Sequence, residues 1–393
     1  MTRVVYYTRP SFLDSALGLV RALSRQVELH LLVELAPEGW QNSLFDLAPV
    51  ALPAGLVPAD SVLRGSFPAG VHACWQEAAS FHLAVHNCRR SIHPATWSVN
   101  RQVLRFVHSL EPDLLHLDDV TLRLLPWGLG RIPLVVSVHD PEPHTGEGGW
   151  RDDLARRLTF RHAQRFILHN QALQERFWRT YRLPRERVDA IPLGVYDVYR
   201  EWIGRPVRAN SRTVLFFGRL SPYKGLEALC QAAPLVAREV PGARFIIAGR
   251  PQPGYRLPRL PGLPNGGRFE VISEYIPNRR LAELFQRASV VACPYASATQ
   301  SGVVLTAYAF GKPVVASAVG GLPEYVSEGR TGLLVPSQDA GALAAALVRT
   351  LTDQRLQWRL RMGVARARHG RLSWGSIARH TAEAYARTLA SVR

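Results

Sequence analysis

The chain of 393 residues is 47% hydrophobic and 20% charged, which is typical of a soluble globular protein with two domains and excludes a disordered or fibrous chain. Its 48 basic and 31 acidic residues give a net charge of +17, and residues 151–393 hold the surplus. A field of this sign attracts nucleic acid, anionic membranes or phosphorylated small molecules, and does not distinguish among them.

The first half of the chain has the pattern of an α/β domain. A strand at residues 4–7, a helix at 13–23 and a strand at 27–32 predict a βαβ unit, whereas residues 35–67 predict an irregular insertion. Further short apolar runs predict buried parallel strands at residues 114–117, 134–138 and 166–168.

The second half repeats this alternation after an aperiodic stretch at residues 201–212, which we interpret as a linker. We predict strands at 213–217, 245–248, 269–272, 290–293, 314–316 and 332–335, and helices at 224–238, 279–288, 302–310 and 340–351. The expected fold is α/β, with two Rossmann-like domains, 1–203 and 204–372, facing each other across a cleft where ligands bind. The helical tail 373–393 can pack on either domain, including back on the first.

The stretch LFFGRLSPYKG is the strongest local signal, and it favours a diphosphate site. Gly218 follows a strand and lets a ligand approach the backbone, Arg219 can bind two phosphate oxygens, and Lys224 stands where a helix begins. Only Lys224 and Lys312 are lysines among the 48 basic residues, and arginine does not replace a compact ammonium. Lys312 lies in a predicted turn, where we expect a structural role. The alternative for the stretch is a turn with solvated basic residues.

A second candidate is the start of the helix predicted at 302–310. Thr299, Gln300 and Ser301 precede Gly302, and a helix N-terminus exposes backbone N–H groups that bind anions. Alternatively, Ser301 is only the N-cap of the helix.

A third candidate follows the strand at 134–138. His139 and Asp140 stand at its carboxyl end, and His144 lies in the Pro/Gly-rich loop behind them. Titratable groups at such a position usually face the ligand, so Asp140 and His144 are candidates for the acceptor side. The alternative for His139 is a histidine that caps neighbouring backbone.

Several chemistries lack their sequence patterns. The chain has no G-x-G-x-x-G after its first strand, no G-x-x-x-x-G-K-[ST], no G-x-S-x-G and no D-x-D at a strand end. Zinc needs tighter paired ligands than the nearby histidines and cysteines offer, so we predict no metal and no cofactor. These residues are His72, Cys74, His82, His86 and Cys88.

We predict a cytoplasmic protein from three features of the sequence. The cysteines are scattered, the N-terminus is unlike a signal peptide, and no run of about 18 apolar residues occurs. A basic stretch begins at Trp150 and predicts a helix able to lie on the inner face of an anionic membrane. A solvated helix face is an equal alternative. The basic residues are Arg151, Arg156, Arg157, Arg161 and Arg165.

The ordered motifs GRLSPYKG, FIIAG, AYAFGKPVVAS, VGGLPE and EGRTGLLVP resemble those of the retaining glycosyltransferases of family four, which have the GT-B fold. PDLLHL, SVHD and IPLGV extend the resemblance to about two thirds of the chain. The resemblance implies that Arg219 and Lys224 bind the donor diphosphate and that His139 lies beside the donor sugar. It also implies that no protein nucleophile is needed, because the leaving phosphate takes the acceptor proton.

The resemblance further implies backbone contacts to the donor. The diphosphate is expected at Ser301, Gly302 and Val303, and the base at the loop of Tyr275, Ile276 and Pro277. The chain departs from the family pattern at Thr306, which stands where a glutamate is expected to bind the ribose. A neutral hydroxyl offers about half the binding energy of a charged acceptor there.

The expected function is transfer of a sugar from a UDP- or GDP-sugar to a lipid-linked or polysaccharide acceptor. The missing glutamate motivates an alternative, a non-catalytic protein of the same fold that binds a nucleotide sugar or a partner enzyme. Nucleic-acid binding has only the net charge in its favour, because no interleaved aromatic and basic platform is present, and we expect no nucleic-acid partner.

Overall fold

The structure is a computed structural model that describes residues 1–42, 44–46, 52–88, 93–121, 126–141, 150–205 and 212–392. It contains two compact units, Met1–Gly194 with Trp374–Arg393, and Val195–Ser373. The boundary lies before the position expected from the sequence, residue 203, because Tyr196 and Tyr199 are buried in the second unit.

The first unit has a parallel sheet with helices around it. Its strands are β1 (Arg3–Thr8), β2 (Glu28–Leu35), β3 (Gln41–Asn42), β4 (Phe45–Asp46), β5 (Gly55–Pro58), β6 (Ser80–Val85), β7 (Leu114–Asp118), β8 (Leu134–Val138), β9 (Arg165–Leu168) and β10 (Val188–Ala190). Its helices are α1 (Leu13–Leu23), α2 (Asp60–Leu63), α3 (Ala69–Gln76), α4 (Pro94–Ser109), α5 (Trp150–His162), α6 (Gln174–Thr180) and the C-terminal helix, numbered α13 (Trp374–Val392).

Among the described residues, the main sheet has eight strands in the order β10-β9-β8-β7-β1-β2-β6-β5. Its pairs are parallel except β5 with β6, and β3 and β4 form a separate antiparallel pair. β7 and β8 are buried along their whole length, which explains why both are mainly apolar, with His116, Asp118 and Ser137 as polar exceptions. The segment 35–67, expected to be irregular, contains β3, β4, β5 and α2. Such short elements leave little periodicity in the sequence.

Helix α13 packs on α1 within the first unit. Trp374 at its start occupies the space beside Gly18 and Gly194, where any Cβ would clash with the indole. At the middle of the helix, the Tyr385 hydroxyl lies 2.6 Å from Nδ1 of His116 on β7. The absence of side chains at two glycines therefore seats the C-terminal helix on the first unit.

The second unit has strands β11 (Thr213–Phe217), β12 (Arg244–Ala248), β13 (Arg268–Ile272), β14 (Val290–Cys293), β15 (Val314–Ser317) and β16 (Gly332–Val335). Its helices are α7 (Leu226–Glu239), α8 (Asn278–Arg287), α9 (Gly302–Ala309), α10 (Leu322–Tyr325), α11 (Ala340–Thr352) and α12 (Gln354–His369). The described strands are all parallel, in the order β13-β12-β11-β14-β15-β16. The order reverses between β11 and β14, which is the position where doubly wound sheets bind ligands.

Candidate active site

The turn after β11 contains two glycines with positive φ. Gly218 has φ 105° and Gly225 has φ 69°, both in the left-handed region that favours glycine. A Cβ at Gly225 would clash with the carbonyl oxygen of Pro294 after β14. The loops that follow β11 and β14 are therefore in direct contact, at the reversal of strand order.

Lys224 lies in this turn with its ammonium against two aromatic rings. Its Nζ is 4.0 Å from the ring centroid of Tyr295 and 5.2 Å from that of Tyr223. Lys224 is half-buried, and Tyr295 is buried. The two rings hold the cation at a fixed position by cation–π attraction. The helix starts at Leu226 rather than at Lys224, because Pro222–Lys224 forms a short 3-10 turn that ends at Gly225.

The N-terminus of α9 is linked to Lys224 through the same tyrosine. The hydroxyl of Tyr295 lies 3.3 Å from Oγ of Ser301, and that Oγ accepts a hydrogen bond from the N–H of Val304. Ser301 is thus the N-cap of α9, which was the alternative considered for it. The cap leaves the N–H groups of Gly302 and Val303 as first-turn donors that the helix cannot satisfy. The two predicted parts of the diphosphate site lie together.

The remaining predicted donor residues occupy the same edge of the sheet. Arg219 is exposed directly after Gly218, and Thr299 is buried. Gln300 is half-buried, and its Oε1 has no hydrogen-bond partner in the part of the chain that the structure describes. An unpaired buried acceptor is costly unless a ligand satisfies it.

The loop expected at the nucleotide base connects β13 to α8. Ile276 is buried, Tyr275 is half-buried and Pro277 precedes the first residue of α8. Because β13 runs parallel to β12 and β11, this loop leaves the sheet on the same side as the turn of Lys224. It is separated from that turn by the width of β12.

Thr306 stands one turn inside α9, and its hydroxyl donates to the carbonyl oxygen of Gly302 at 2.8 Å. The residue is 4% exposed. Its single proton is therefore engaged within the helix, and only its oxygen lone pairs remain for a ligand.

His139 belongs to the first unit, where it is 2% exposed. Its Nε2 lies 2.7 Å from Oδ1 of Asp118, at the end of the adjacent strand β7. Its ring stacks on Phe12 with the ring centroids 3.9 Å apart. The histidine thus binds a carboxylate and does not cap backbone with that nitrogen. Asp140 beside it is half-buried, and His144 lies outside the described residues.

Asp118 is a residue that sequence reasoning missed. Its position at the carboxyl end of a short apolar run, like that of His139 after the next strand, was the available signal. Thr8 donates to its other oxygen at 2.8 Å. Burial raises the pKa of the Asp118 carboxyl, but the charge and hydrogen bond of His139 outweigh burial and lower this pKa to about 2. Burial likewise lowers the pKa of His139, and Asp118 outweighs it, so this pKa is raised.

Two other buried histidines surround this pair and remain neutral. Burial lowers the pKa of His116 to about 4 and that of His169 to about 3. His116 bonds to Ser137 and Tyr385, and His169 lies 3.1 Å from the carbonyl oxygen of Ile191. Of these three imidazoles, that of His139, which has a carboxylate partner, is the one favoured in its charged form.

Lys312 has the structural role expected for it. Its Nζ donates to the carbonyl oxygen of Gln286 at 2.9 Å, and burial lowers its pKa to about 8. Cys293 at the end of β14 is also buried, and burial raises its pKa to about 11. This thiol is therefore protonated at neutral pH.

Within the described ranges, no three His, Cys, Asp or Glu side chains come together as metal ligands. Three of the nearby histidines and cysteines make other contacts: His72 packs against Trp75, His82 packs against Phe106, and the thiol of Cys74 donates to the carbonyl oxygen of Gly70.

The basic helix expected on a membrane ends before its last predicted residue. Arg165 lies on β9, is 6% exposed and pairs with Asp189 at 3.0 Å, so its inclusion in a surface helix was wrong. Each helix in the described part of the chain is too short or too polar to cross a bilayer.

Comparison with known families covers both units. The family described as Glycosyltransferase Family 4 matches residues 15–197, and the family Glycosyl transferases group 1 matches residues 211–353. The D-inositol 3-phosphate glycosyltransferase of Nocardia farcinica is 31% identical over 291 residues, 66% of this chain and 62% of that protein. The protein with the same description in Corynebacterium urealyticum is 36% identical over 195 residues, 47% of this chain and 45% of that protein. The chain therefore spans less than two thirds of the length of these relatives.

Solved structures share the fold along the whole chain. Anabaena HepE in complex with UDP and glucose has a TM-score of 0.66 at 20% identity, over 98% of this chain and 100% of that one. The catalytic domain of starch synthase IV from Arabidopsis thaliana, bound to ADP and acarbose, has a TM-score of 0.67 at 12% identity, over 99% and 100% of the two chains. The fold is that of the GT-B class, with two Rossmann-like α/β domains. The two family matches, in their order along the sequence, show that the chain belongs to glycosyltransferase family 4.

Proposed function

We propose that the chain is a retaining glycosyltransferase that binds a UDP- or GDP-sugar on its second unit and needs no metal ion. The position of Lys224 carries this proposal. Its ammonium lies 4.0 Å from the ring of Tyr295, whose hydroxyl is 3.3 Å from Ser301 at the N-terminus of α9. One cation and the unsatisfied amides of a helix therefore meet at the reversal of strand order, where a diphosphate is bound most favourably.

The same groups act on the reaction by stabilising the leaving group. The bond between the anomeric carbon and the phosphate oxygen breaks, the acceptor oxygen bonds to that carbon from the same face, and the acceptor proton passes to the released phosphate. Negative charge grows on the diphosphate during this step, and Arg219, Lys224 and the first N–H groups of α9 are placed to stabilise it. Cys293 is protonated and buried, so it is no competitor as nucleophile.

His139 keeps its place beside the donor sugar as a prediction based on the family resemblance. The pair with Asp118 supports a charged imidazole of fixed orientation, because the carboxylate holds Nε2 at 2.7 Å. We propose Asp118 as the positioning residue for His139. The assignment of the first unit to the acceptor rests on the same resemblance.

For the acceptor, the relatives favour a phosphorylated polyol. They are described as D-inositol 3-phosphate glycosyltransferases, whereas the sequence motifs alone led us to expect a lipid-linked or polysaccharide acceptor. We propose to test inositol phosphates first and a lipid-linked sugar second.

The proposal is tested by nucleotide binding and then by turnover. UDP or GDP at about 1 mM is expected to raise the melting temperature by mass action, and Lys224→Ala is expected to abolish the rise. Lys312→Met is the matched control, because it removes the other lysine, 2.9 Å from a backbone carbonyl and outside the site. If Lys224→Ala keeps the full rise, or if the control loses it too, the diphosphate is not bound at Lys224.

A second function, donor binding without turnover, is favoured by one observation. Thr306 replaces the expected glutamate, and its only proton is donated to Gly302. Binding of UDP or GDP with no hydrolysis or transfer from any UDP- or GDP-sugar, and with no effect of added acceptors, would establish this function in place of transfer.

A further inference from the structure

The second unit has a groove whose lining includes none of the candidate active-site residues. It runs between α12 and the segment 327–331 and has a volume of about 560 Å³. Its main side chains are four arginines, Arg330, Arg359, Arg366 and Arg371, and two apolar residues of α12, Trp358 and Met362.

The backbone fixes the shape of this groove. At Gly363, α12 touches the segment 327–331 so closely that a Cβ would clash with the carbonyl oxygen of Arg330. Arg371 donates to the carbonyl oxygens of Glu324 at 2.7 Å and Tyr325 at 3.2 Å. The arginines therefore stand on a rigid frame.

The described residues do not neutralise the charges of the groove. Arg330, Arg359 and Arg366 are exposed, and the described residues offer them no ion pair. No Asp or Glu lines the groove in the part of the chain that the structure describes. In contrast, Arg368 on the same helix pairs with Asp197 at 2.8 Å. The face with Arg359 and Arg366 is thus complementary to an anionic partner.

The same face exposes large apolar side chains. Trp358 is 68% exposed and Met362 is 40% exposed, one helical turn apart, while Leu360 and Val364 on the other side of α12 are buried. An indole and a thioether surrounded by guanidinium groups suit the boundary between lipid headgroups and acyl chains.

We propose that this groove, with Trp358 and Met362, is a docking surface for a bilayer of anionic phospholipids. The guanidinium groups pair with lipid phosphates, and the two apolar side chains enter the headgroup boundary. A soluble phosphate would engage the arginines but leave Trp358 and Met362 in water. A nucleic acid would favour several stacking rings, and this face has one. The inference is independent of the proposed glycosyl transfer.

The test is sedimentation of the full chain with vesicles. We expect binding to vesicles of phosphatidylglycerol and phosphatidylcholine, weakening from about 0.05 to about 0.5 M salt, and no binding to pure phosphatidylcholine. Arg359→Glu with Arg366→Glu is expected to weaken binding by about tenfold or more, and Trp358→Ser by about threefold without changing the salt dependence.

The matched control is Arg256→Glu with Arg259→Glu, which changes the net charge equally on two exposed arginines between β12 and β13. It is expected to keep vesicle binding, and every variant is expected to keep the far-UV circular dichroism and melting temperature of the parent. Equal loss in the control, equal binding to neutral vesicles, or no binding to anionic vesicles would overturn the proposal. So would arginine-dependent binding of inorganic phosphate or duplex DNA without binding to vesicles.

Discussion

The two sheets present the carboxyl ends of their central strands in opposite ways. In the second unit, Arg219 is exposed and Lys224 is half-buried against the ring of Tyr295, whose hydroxyl lies 3.3 Å from the Oγ of Ser301 at the start of α9. In the first unit, the groups at the corresponding strand ends are Asp118 and His139, which are 3% and 2% exposed and bind each other at 2.7 Å. One edge carries exposed and half-buried positive charge, whereas the other pairs its acid with an imidazole in the interior.

This difference predicts different roles for the two edges: ligand binding for the edge with Lys224, and stability for the edge with Asp118 and His139. The ammonium of Lys224 is half-buried on an aromatic ring, and no carboxylate in the described part of the chain pairs with it, so it gains most from an incoming phosphate. The buried pair of Asp118 and His139 contributes to the stability of the folded chain, because breaking it leaves an unpaired buried charge. Variants at the first edge should affect ligand binding, and variants at the second should affect stability.

Lys224→Ala is expected to have the largest effect. Loss of one preorganised cation at the leaving group should lower kcat/KM by about 100- to 1,000-fold, with unfolding free energy nearly unchanged. Steady-state kinetics and chemical denaturation measure the two quantities. The comparison fails if stability falls as much as activity, and Lys312→Met shows the effect of losing a lysine elsewhere.

Asp118→Asn is expected to lower the free energy of unfolding by about 3 kcal/mol, because His139 loses the partner that holds its charge. Urea denaturation measures this loss. Asp119→Asn is the matched control, since that neighbour pairs with the half-buried Arg9 at 3.2 Å and accepts a hydrogen bond from the N–H of Val120 at 2.8 Å. We expect a loss of about 1 kcal/mol or less. Equal losses in both variants would contradict a special role for the pair.

The buried histidines predict a stability optimum near pH 6.5. Below it, His116 and His169, with pKa values of about 4 and 3, stay neutral in the folded chain while the unfolded chain takes up protons. Stability should therefore fall by about 2 kcal/mol over the first pH unit. Above it, stability falls as pH rises through the raised pKa of His139.

Asp118→Asn should remove the alkaline part of this profile and keep the acidic part. Denaturation across pH 5 to about 9 tests both limbs. An alkaline limb that persists in the variant would show that His139 does not cause it.

Thr306→Val is expected to have the smallest effect. If the Thr306 oxygen accepts one ribose hydrogen bond, its loss should weaken UDP or GDP binding about fivefold, equivalent to about 1 kcal/mol. Calorimetry measures the affinity. An unchanged affinity would show that the ribose makes no contact with Thr306.

Much of the fold could be predicted from the sequence. The helix at residues 13–23 and the strands at 134–138, 213–217, 290–293 and 332–335 have the bounds expected from apolar periodicity. Helices α4 and α12 were not predicted. α12 mixes arginines with Trp358 and Met362 on its exposed face, so polarity does not mark one side clearly.

The residues of the candidate site were likewise predicted only in part. Gly218, Lys224 and Ser301 were identified from residue type and position, because a turn glycine, a rare lysine and a helix cap are local features. Tyr295 and Asp118 were not identified, because their importance comes from contact with residues distant in sequence.

Short segments of the sequence are therefore enough to predict the strands, the glycine turn and the positions of the basic residues. Packing across the sheets decides the rest: that Lys224 lies on a ring, that His139 is favoured in its charged form and that Arg165 is buried. Lys224 and Arg165 illustrate this: both are basic residues at strand or helix ends in the sequence, yet one is half-buried against Tyr295 and the other pairs with Asp189 in the interior. Burial and neighbouring charges set those outcomes, and both arise only when distant segments meet.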